Sequence, residues 1–194
     1  MPDSFAQHAD GLLLVANGID RVLRWDGLTD QAEDAGVLAP STAPTLASSG
    51  SGAITGTYYG YVRFVDRYGN VSNLSPLSDA VVAAADGSID YSNLAVPSEP
   101  KVRRRQVLRN TAGQTTVFYV DLDTEDLTST SLSSTLTDTL LQAQEAVPLL
   151  DDNSRPLANL HAPPPDDRSV LAAHLDRMFL AAEEVYSEGC VIVT

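Results

Sequence analysis

The chain is poor in cysteine, and this scarcity limits how its fold can be held together. Cys190 is the single cysteine among 194 residues. One cysteine cannot form a disulfide within the chain, and zinc sites built on cysteine need several such ligands. The sequence therefore predicts a fold stabilised by side-chain packing, without an internal cross-link or a cysteine-bound metal.

Basic residues are also scarce. The chain has 12 Lys and Arg against 26 Asp and Glu, which gives a formal net charge of −14 at pH 7. Binding to a nucleic-acid backbone depends on clustered positive charge that releases counterions from the phosphates. We therefore predict that nucleic acid is not a partner.

Five of the basic residues lie close together in the sequence. They fall in a stretch predicted to be a strand, where successive side chains point to opposite faces. This alternation divides the cluster between two faces and favours local ion pairs with neighbouring carboxylates. A docking patch for an acidic partner is the alternative. The cluster consists of Lys101, Arg103, Arg104, Arg105 and Arg109.

Long apolar runs and export signals are missing as well. The longest aliphatic runs, Leu12 to Ala16 and Ala80 to Ala85, are far shorter than the roughly 20 residues that span a bilayer. The start of the chain, Met1 to Phe5, has neither the positive charge nor the apolar stretch of a secretory signal. The sequence predicts no membrane insertion and no export by a secretory signal peptide.

No residue pattern typical of an active site or a ligand site stands out. Gly50-Ser51-Gly52 lacks the spacing of a nucleophile elbow or a dinucleotide-binding loop. The acidic run from Asp121 to Asp126 has no glycine where a calcium loop turns. His8, His161 and His174 are far apart in the sequence. We therefore predict no catalytic, cofactor-binding or metal-binding residue, and a protein that is not an enzyme.

What the chain does contain is a dense series of strand signals in its middle. The stretch from Gly56 to Asp66 is rich in aromatic and β-branched residues, and a turn and a second strand-like stretch ending at Val82 follow it. This pattern predicts a β-hairpin. Further strands are predicted at 88–94, 102–109, 115–122 and 134–139.

Alternation along the first strand of this hairpin predicts which side chains face the core. One face carries aromatic and aliphatic residues with a glycine, whereas the opposite face includes Arg63. An arginine is seldom buried unless it is paired, so we assign the core to the opposite side. The predicted core residues are Tyr58, Gly60, Val62 and Phe64.

Composition divides the chain into four segments. Residues 1–40 hold an N-terminal β segment, whose strands at 11–15 and 21–25 are joined through Asn17-Gly18, a pair that supplies the positive φ of a tight turn. Residues 41–149 hold a β-sandwich. The stretch 28–53, which spans the boundary between these two segments, has the Ser-, Gly- and Pro-rich composition of a linker. A Pro- and Asp-rich linker covers 150–169, and a β segment covers 170–194.

The segment at 170–194 has two readings. Helical spacing, which is consistent with an amphipathic helix, relates Val170, Leu171, Leu175, Met178 and Phe179. The apolar runs around the turn at 187–189 are equally consistent with strands. We favour strands, and helix against strand stays open for residues 170–186.

The hairpin resembles part of a fibronectin type III domain. Tyr58-x-Gly60-Tyr61-Val62-Arg63-Phe64-Val65-Asp66, followed by Gly69-Asn70-x-Ser72-x-x-Ser75-Pro76, is similar to the final hairpin of that family. Val102 to Asn110 resembles its middle strand, and Thr135 to Thr139 resembles the turn before the final hairpin. The resemblance implies an all-β, immunoglobulin-like or fibronectin-III-like β-sandwich. Because the final hairpin comes first here, the implied sandwich is circularly permuted.

The stretches on either side of this domain, Leu12 to Gly27 and His174 to Ala182, resemble propeller-like strands. The whole arrangement is similar to the tail, neck or nozzle proteins of tailed bacteriophages. A propeller needs at least four blades, so the flanking strands would join strands of neighbouring subunits or of a longer chain. The resemblance implies a non-enzymatic virion component, made in the host cytoplasm.

Its implied partners are further copies of itself and other virion proteins, such as the portal, adaptor or tail proteins. The contacts would involve the sandwich and the exposed edge strands of the flanking segments. The alternative is a carbohydrate-binding or adhesion module, or an accessory domain of a polysaccharide-degrading enzyme, because tyrosine rings can stack on a sugar. The candidate contact residues are Tyr59, Tyr61, Arg63, Arg103 and Arg105.

Overall fold

The computed structural model describes residues 4–7, 11–150, 163–164, 170–174 and 177–181. Regular structure in these residues is almost entirely β-strand, which confirms the all-β prediction. The chain divides into two compact units, which we call the first unit (residues 1–36 and 163–194) and the second unit (residues 37–162). No helix within the described ranges is long and apolar enough to cross a membrane.

The first unit contains a four-stranded antiparallel sheet and a separate hairpin. The sheet runs in sequence order, from β1 to β4, and the hairpin pairs β12 with β13. β12 also contacts β1 and β2. The strands are β1 (Ser4–Gln7), β2 (Leu13–Ala16), β3 (Leu23–Trp25), β4 (Glu33–Asp34), β12 (Val170–His174) and β13 (Arg177–Ala181).

The predicted hairpin of the N-terminal segment is present, but its loop differs from a two-residue Asn-Gly turn. The side-chain oxygen of Asn17 accepts hydrogen bonds from the backbone N–H of Ile19 (3.0 Å) and of Asp20 (2.8 Å). Gly18 has the positive φ that was predicted, at +73°. Asn17 therefore shapes the loop through its side chain, as asparagine does in an Asx-turn.

Strands, not a helix, occupy the described part of the C-terminal segment. Val170 lies opposite Ala181, and His174 lies opposite Arg177 in an antiparallel register. The preference for strands is confirmed there. The predicted turn at 187–189 and nearly all of the predicted linker at 150–169 lie outside the described residues.

The second unit consists of two antiparallel sheets with a shared core. One sheet has the order β10-β7-β5 and the other β11-β9-β8-β6. The elements are β5 (Thr45–Tyr58), β6 (Gly60–Asp66), β7 (Val81–Ser92), β8 (Val102–Arg109), β9 (Val117–Thr124), β10 (Leu132–Ser134), helix α1 (Asp138–Leu141) and β11 (Ala146–Pro148). The core residues are Val37, Ile54, Tyr58, Val62, Phe64, Ala83, Ile89, Tyr91, Leu94, Val102 and Val107.

The predicted core face of β6 is confirmed, since Tyr58, Val62 and Phe64 all belong to this core. The opposite face is more buried than its arginine suggested. Arg63 and Val65 are both buried there, and Tyr61 packs edge-on against Phe118 with ring centroids 4.7 Å apart. The four-stranded sheet is therefore packed on both of its faces.

The prediction of a linker over 28–53 is wrong for its last third, because β5 begins at Thr45 and pairs along most of β7. Gly52 and Gly87 explain the glycine content of this region. A Cβ on Gly52 would lie 2.7 Å from the Cα of Gly87, so only glycine permits this close approach of the two backbones. Strand pairing depends on backbone groups, which is why a serine- and glycine-rich stretch still forms a strand.

The prediction of a strand at 134–139 is also wrong in part. β10 ends at Ser134, and the one-turn helix α1 follows at Asp138. Leu141 in α1 is completely buried. Its backbone N–H donates to the carbonyl of Thr137 at 2.8 Å. Burial of this leucine favours the turn of helix over continued extension.

The second half of the predicted hairpin is not a regular strand. Ser72, Ser75 and Ser78 lie along the edge of β6 at intervals of three residues and pair with Phe64, Val62 and Gly60, respectively. Each serine donates its backbone N–H to the carbonyl of its partner, at 2.8–3.1 Å. The serine hydroxyl oxygen accepts the N–H of the same partner, at 2.9 Å. We call residues 72–78 the serine segment.

The serine segment advances three residues for every two of β6. A strand rises about 3.4 Å per residue, so the segment rises only about 2.3 Å per residue and is more contracted than a strand. Its hydroxyls therefore supply the acceptors that a regular neighbouring strand would supply through its carbonyls. After the segment, the chain enters β7 at Val81 and joins the opposite sheet.

Replacing Ser75 by alanine tests this edge. The buried N–H of Val62 would lose its acceptor, so Ser75→Ala should lower the free energy of unfolding by about 1–3 kcal/mol. The exposed Ser131 provides a matched control, and Ser131→Ala should change stability by less than about 0.5 kcal/mol. Urea unfolding of both variants makes the comparison, and equal effects would contradict the assigned role.

Phe64→Ala tests the core face. Phe64 is 5% exposed and belongs to the shared core, so its truncation should cost about 3–5 kcal/mol in unfolding free energy. Tyr61→Ala removes a partly buried ring from the opposite face and should cost much less. Chemical unfolding measures both, and small, equal losses would show that the core lies elsewhere.

Candidate interaction surfaces

The five candidate contact residues do not form one surface. Arg105 is 0% exposed and faces the shared core, and Arg63 is buried on the opposite side of the sheet. Tyr59 and Tyr61 are partly buried, and Arg103 is exposed. The prediction that alternation divides the basic cluster is confirmed, but burial removes Arg63 and Arg105 from any surface.

Arg105 is held inside the second unit by backbone carbonyls. Its guanidinium donates to the carbonyl oxygens of Ala95 (2.9 Å), Asp126 (3.0 Å) and Ser129 (2.7 Å). Burial lowers the pKa of Arg105 from its usual value, and the nearby Asp126 opposes that shift. Arg105 thereby ties the segment after β7 and the segment before β10 to β8, which is a structural role.

Arg109 is the centre of a second buried polar cluster. Its Nε donates to Asp121 at 3.0 Å, and both side chains are completely buried. Tyr91 and Ser134 donate their hydroxyls to the same carboxylate. The Arg109 guanidinium also lies 4.9 Å from the ring centroid of Tyr58. These five residues belong to β8, β9, β7, β10 and β5, so the cluster connects both sheets.

The electrostatics of this cluster follow from its burial. Desolvation is the largest single influence and would lower the pKa of Arg109, but Asp121, Tyr91 and Asp138 together outweigh it and the net shift of this pKa is upward. Burial, and then the charge of Asp121, raise the pKa of Tyr91 well above its usual value. The arginine is held charged and Tyr91 is held neutral, which suits a structural ion pair.

The outer side of the four-stranded sheet carries a chain of polar contacts. Arg63 donates to Gln106 (2.6 Å) and to Glu145 (2.7 Å). Gln106 donates to Asp123 (2.9 Å), which also accepts from Arg104. The predicted local ion pairs are confirmed for Lys101, which pairs with Glu99 at 3.3 Å, and for Arg104 and Arg109, which pair with Asp123 and Asp121. Arg103 and Arg105 donate to backbone carbonyls.

A cavity of about 350 Å³ lies in the second unit between residues 38–41, residues 95–99 and Phe64. Glu99 is its acidic residue. One oxygen of Glu99 accepts the backbone N–H of Leu38 (2.9 Å), and the other pairs with Lys101 (3.3 Å). Both oxygens of Glu99 are therefore engaged in contacts within the fold.

The first unit presents a different kind of surface. One side of the β1–β4 sheet packs on a small core of Ala16, Val22 and Ala35. The other side, which we call the outer sheet face, is also largely apolar. Its residues are Phe5, Gln7, Leu13, Val15, Leu23, Trp25 and Asp34.

Strand register arranges the outer sheet face in two rows. Phe5, Val15, Leu23 and Asp34 lie opposite one another across the four strands, and Gln7, Leu13 and Trp25 form the second row. Phe5 is 61% exposed and Trp25 is 39% exposed. The indole N–H of Trp25 donates to the carbonyl of Thr29 at 2.7 Å, which fixes its orientation.

The sequence-based prediction did not include this face, because it placed the contacts of the flanking segments at their exposed edge strands. The available signal was the uninterrupted apolar run of β2, since a strand with one solvated face alternates between apolar and polar residues. Leu13, Leu14, Val15 and Ala16 do not alternate. Such a run predicts burial on both faces of the strand.

Within the described residues, no group of three or more His, Cys, Asp or Glu side chains is placed to hold a metal ion. The sequence matches no protein-family model and no curated protein.

The turn that Arg105 anchors gives a pH-dependent prediction. Hydrogen bonds from Ser129, and then from Thr128, hold the pKa of the Asp126 carboxyl well below its usual value of 3.8. The ionised carboxylate therefore stabilises the fold above its usual pKa, and this contribution declines as the pH falls through the lowered value.

Asp126→Asn keeps the size and one acceptor oxygen but removes the charge. We expect the wild type to be more stable than this variant near neutral pH, with the difference narrowing below about pH 4. Chemical unfolding from about pH 7 to about pH 3 measures this difference. A difference that stays constant over the range would contradict the role of the charge.

Proposed function

We propose that this chain is a non-enzymatic structural protein of a tailed-bacteriophage virion, located in its tail or neck. It assembles with further copies and with other virion proteins through protein–protein contacts. The outer sheet face of the first unit carries this proposal, because a sheet that is apolar on both sides requires a second layer on each.

The form of the first sheet supports an assembly role. Four antiparallel strands in sequence order are the repeating element of a β-propeller, where neighbouring blades cover both faces of each sheet. β1 to β4 have this order, and Phe5 and Trp25 leave apolar surface uncovered. Exposed apolar patches with polar borders mark protein contact sites.

Strand order in the second unit supports a permuted fibronectin-III-like sandwich. In immunoglobulin-like domains, the final two strands share a sheet with the third strand. Here β6 and the serine segment, which resemble the final hairpin, lie beside β8, which resembles the middle strand. The remaining strands β5, β7 and β10 form the opposite sheet.

The edge strands of the second unit are poorly suited to pair with a strand of another molecule. Contacts of this unit would therefore be made through the faces of its sheets. The serine segment covers β6, β10 and β11 have three residues each, and β11 ends in Pro148. The long edge strand β5 has a register shift between Ser49 and Ile54. Short strands, proline and bulges are the features by which sheets avoid adding strands.

Immunogold electron microscopy of particles from the source phage tests the proposal. Antibodies against this chain should label the tail or neck region of intact virions. Labelling that is absent from particles would overturn the virion assignment.

A glycan array separates the proposal from the carbohydrate-binding alternative. Tyr58 is buried in the core, and Tyr59 and Tyr61 are partly buried, so we expect no glycan signal above background. Binding that is lost in Tyr59→Ala and Tyr61→Ala but kept in the exposed Tyr68→Ala control would favour a carbohydrate-binding module.

A further inference from the structure

We infer that Asn17 is a site of non-enzymatic covalent modification, in which its side-chain amide leaves as ammonia and aspartate and isoaspartate are formed. The attacking group is the backbone nitrogen of Gly18. The site lies in the loop between β2 and β3 of the first unit, and the inference is independent of the proposed virion role.

Gly18 leaves its backbone nitrogen accessible to the Asn17 side chain. Attack of this nitrogen on the amide carbon closes a five-membered ring, and a side chain on the residue after the asparagine would hinder the approach. Glycine has no side chain and adopts a wide range of backbone conformations. Asn17 alone among the asparagines of the chain is followed by glycine. Among the described residues, no hydrogen bond occupies the N–H of Gly18.

The hydrogen bonds of the Asn17 side chain favour reaction at its amide carbon. Its Oδ1 accepts the backbone N–H of Ile19 at 3.0 Å and that of Asp20 at 2.8 Å. The two donors withdraw electron density from the amide carbon and stabilise the negative charge that develops on Oδ1 during attack, as in an oxyanion hole. Asp20 is also a positioning residue, because its Oδ2 accepts from Nδ2 of Asn17 at 2.8 Å and so keeps Oδ1 turned toward the donors.

The reaction balances with water as its co-reactant. The Gly18 nitrogen forms a bond to the Asn17 amide carbon and loses its proton, and the bond from this carbon to Nδ2 breaks as Nδ2 gains a proton and leaves as ammonia. Water then adds to one of the two carbonyl carbons of the cyclic imide. Addition at one carbon gives aspartate, and addition at the other gives isoaspartate. Water reaches this loop, since Ile19 is 74% exposed.

Either product alters the loop between β2 and β3. In aspartate, a carboxylate oxygen replaces the Nδ2 donor and faces the carboxylate of Asp20, where like charges repel. In isoaspartate, the side-chain methylene becomes part of the backbone, so the Asx-turn that Asn17 forms is lost. Modification therefore weakens the loop and adds a negative charge to it.

Peptide mapping by mass spectrometry of the folded full chain, aged in a mildly alkaline buffer, tests the inference. Asn17 should be converted about tenfold faster than the control asparagines or more, because their bulky neighbours hinder the attacking geometry. The controls lie in the same molecule and are Asn70, Asn73 and Asn93, which valine or leucine follows. Conversion at Asn17 that is no faster than at the controls would overturn the inference.

The products identify the attacking group. Ring closure through Gly18 gives isoaspartate together with aspartate, whereas direct hydrolysis of the amide by water gives aspartate alone. We therefore expect both products at residue 17, separated by chromatography of the peptide that contains it. Aspartate without isoaspartate would overturn the assigned role of the Gly18 nitrogen.

Hydrogen exchange measures the effect of the modification on the loop. Asn17→Asp reproduces one product and should accelerate amide exchange in β2 and β3, whereas exchange in β8 and β9 should stay unchanged. Adding Asp20→Asn removes the repelling carboxylate and is the matched control, so the acceleration should be smaller in this double variant. Equal acceleration with and without Asp20→Asn would contradict the proposed repulsion.

Discussion

The buried ion pair of Arg109 and Asp121 is the interaction on which the second unit depends. Both side chains are fully buried and lie 3.0 Å apart, and the carboxylate also accepts hydroxyls from the opposite sheet. A buried charge is tolerated only when it is paired and its hydrogen bonds are satisfied. The pair joins β8 and β9 within one sheet, and the hydroxyls of Tyr91 and Ser134 link its carboxylate to the opposite sheet. A shift of the two sheets would therefore deprive the buried Asp121 of these hydrogen bonds.

Arg105 is a second buried charge of this unit whose hydrogen bonds are made within the fold. Its three carbonyl partners belong to connecting segments and not to strands, so one buried guanidinium orders the chain between elements. The second unit thus combines an apolar core with two arginines that hold its sheets and its connections. This construction needs no disulfide, in agreement with the single cysteine.

The two units use their apolar residues differently. In the second unit, apolar side chains from both sheets meet in one core, and the serine segment closes an edge. In the first unit, one face of the sheet is packed and the other leaves Phe5 and Trp25 uncovered. The exposed apolar side chains of Phe5 and Trp25 in the first unit are the observation on which the proposed function rests.

The sequence by itself determined the all-β class, the position of β8 and the core face of β6, because each depends on strand-forming composition or on alternation along one strand. The carboxylate partners of Arg104 and Arg109 were decided by the tertiary structure, since Asp123 and Asp121 lie on the neighbouring strand. The tertiary structure alone decided that 45–53 is a strand, that Arg63 and Arg105 are buried, and that serine hydroxyls cap β6. Each of these outcomes depends on hydrogen-bond partners or close contacts supplied by distant segments, such as Gly87 opposite Gly52 and Ala95 beside Arg105. The local sequence pattern predicts which secondary structure a residue favours. Its burial and its hydrogen-bond partners depend on segments that are distant in the sequence and close in the fold.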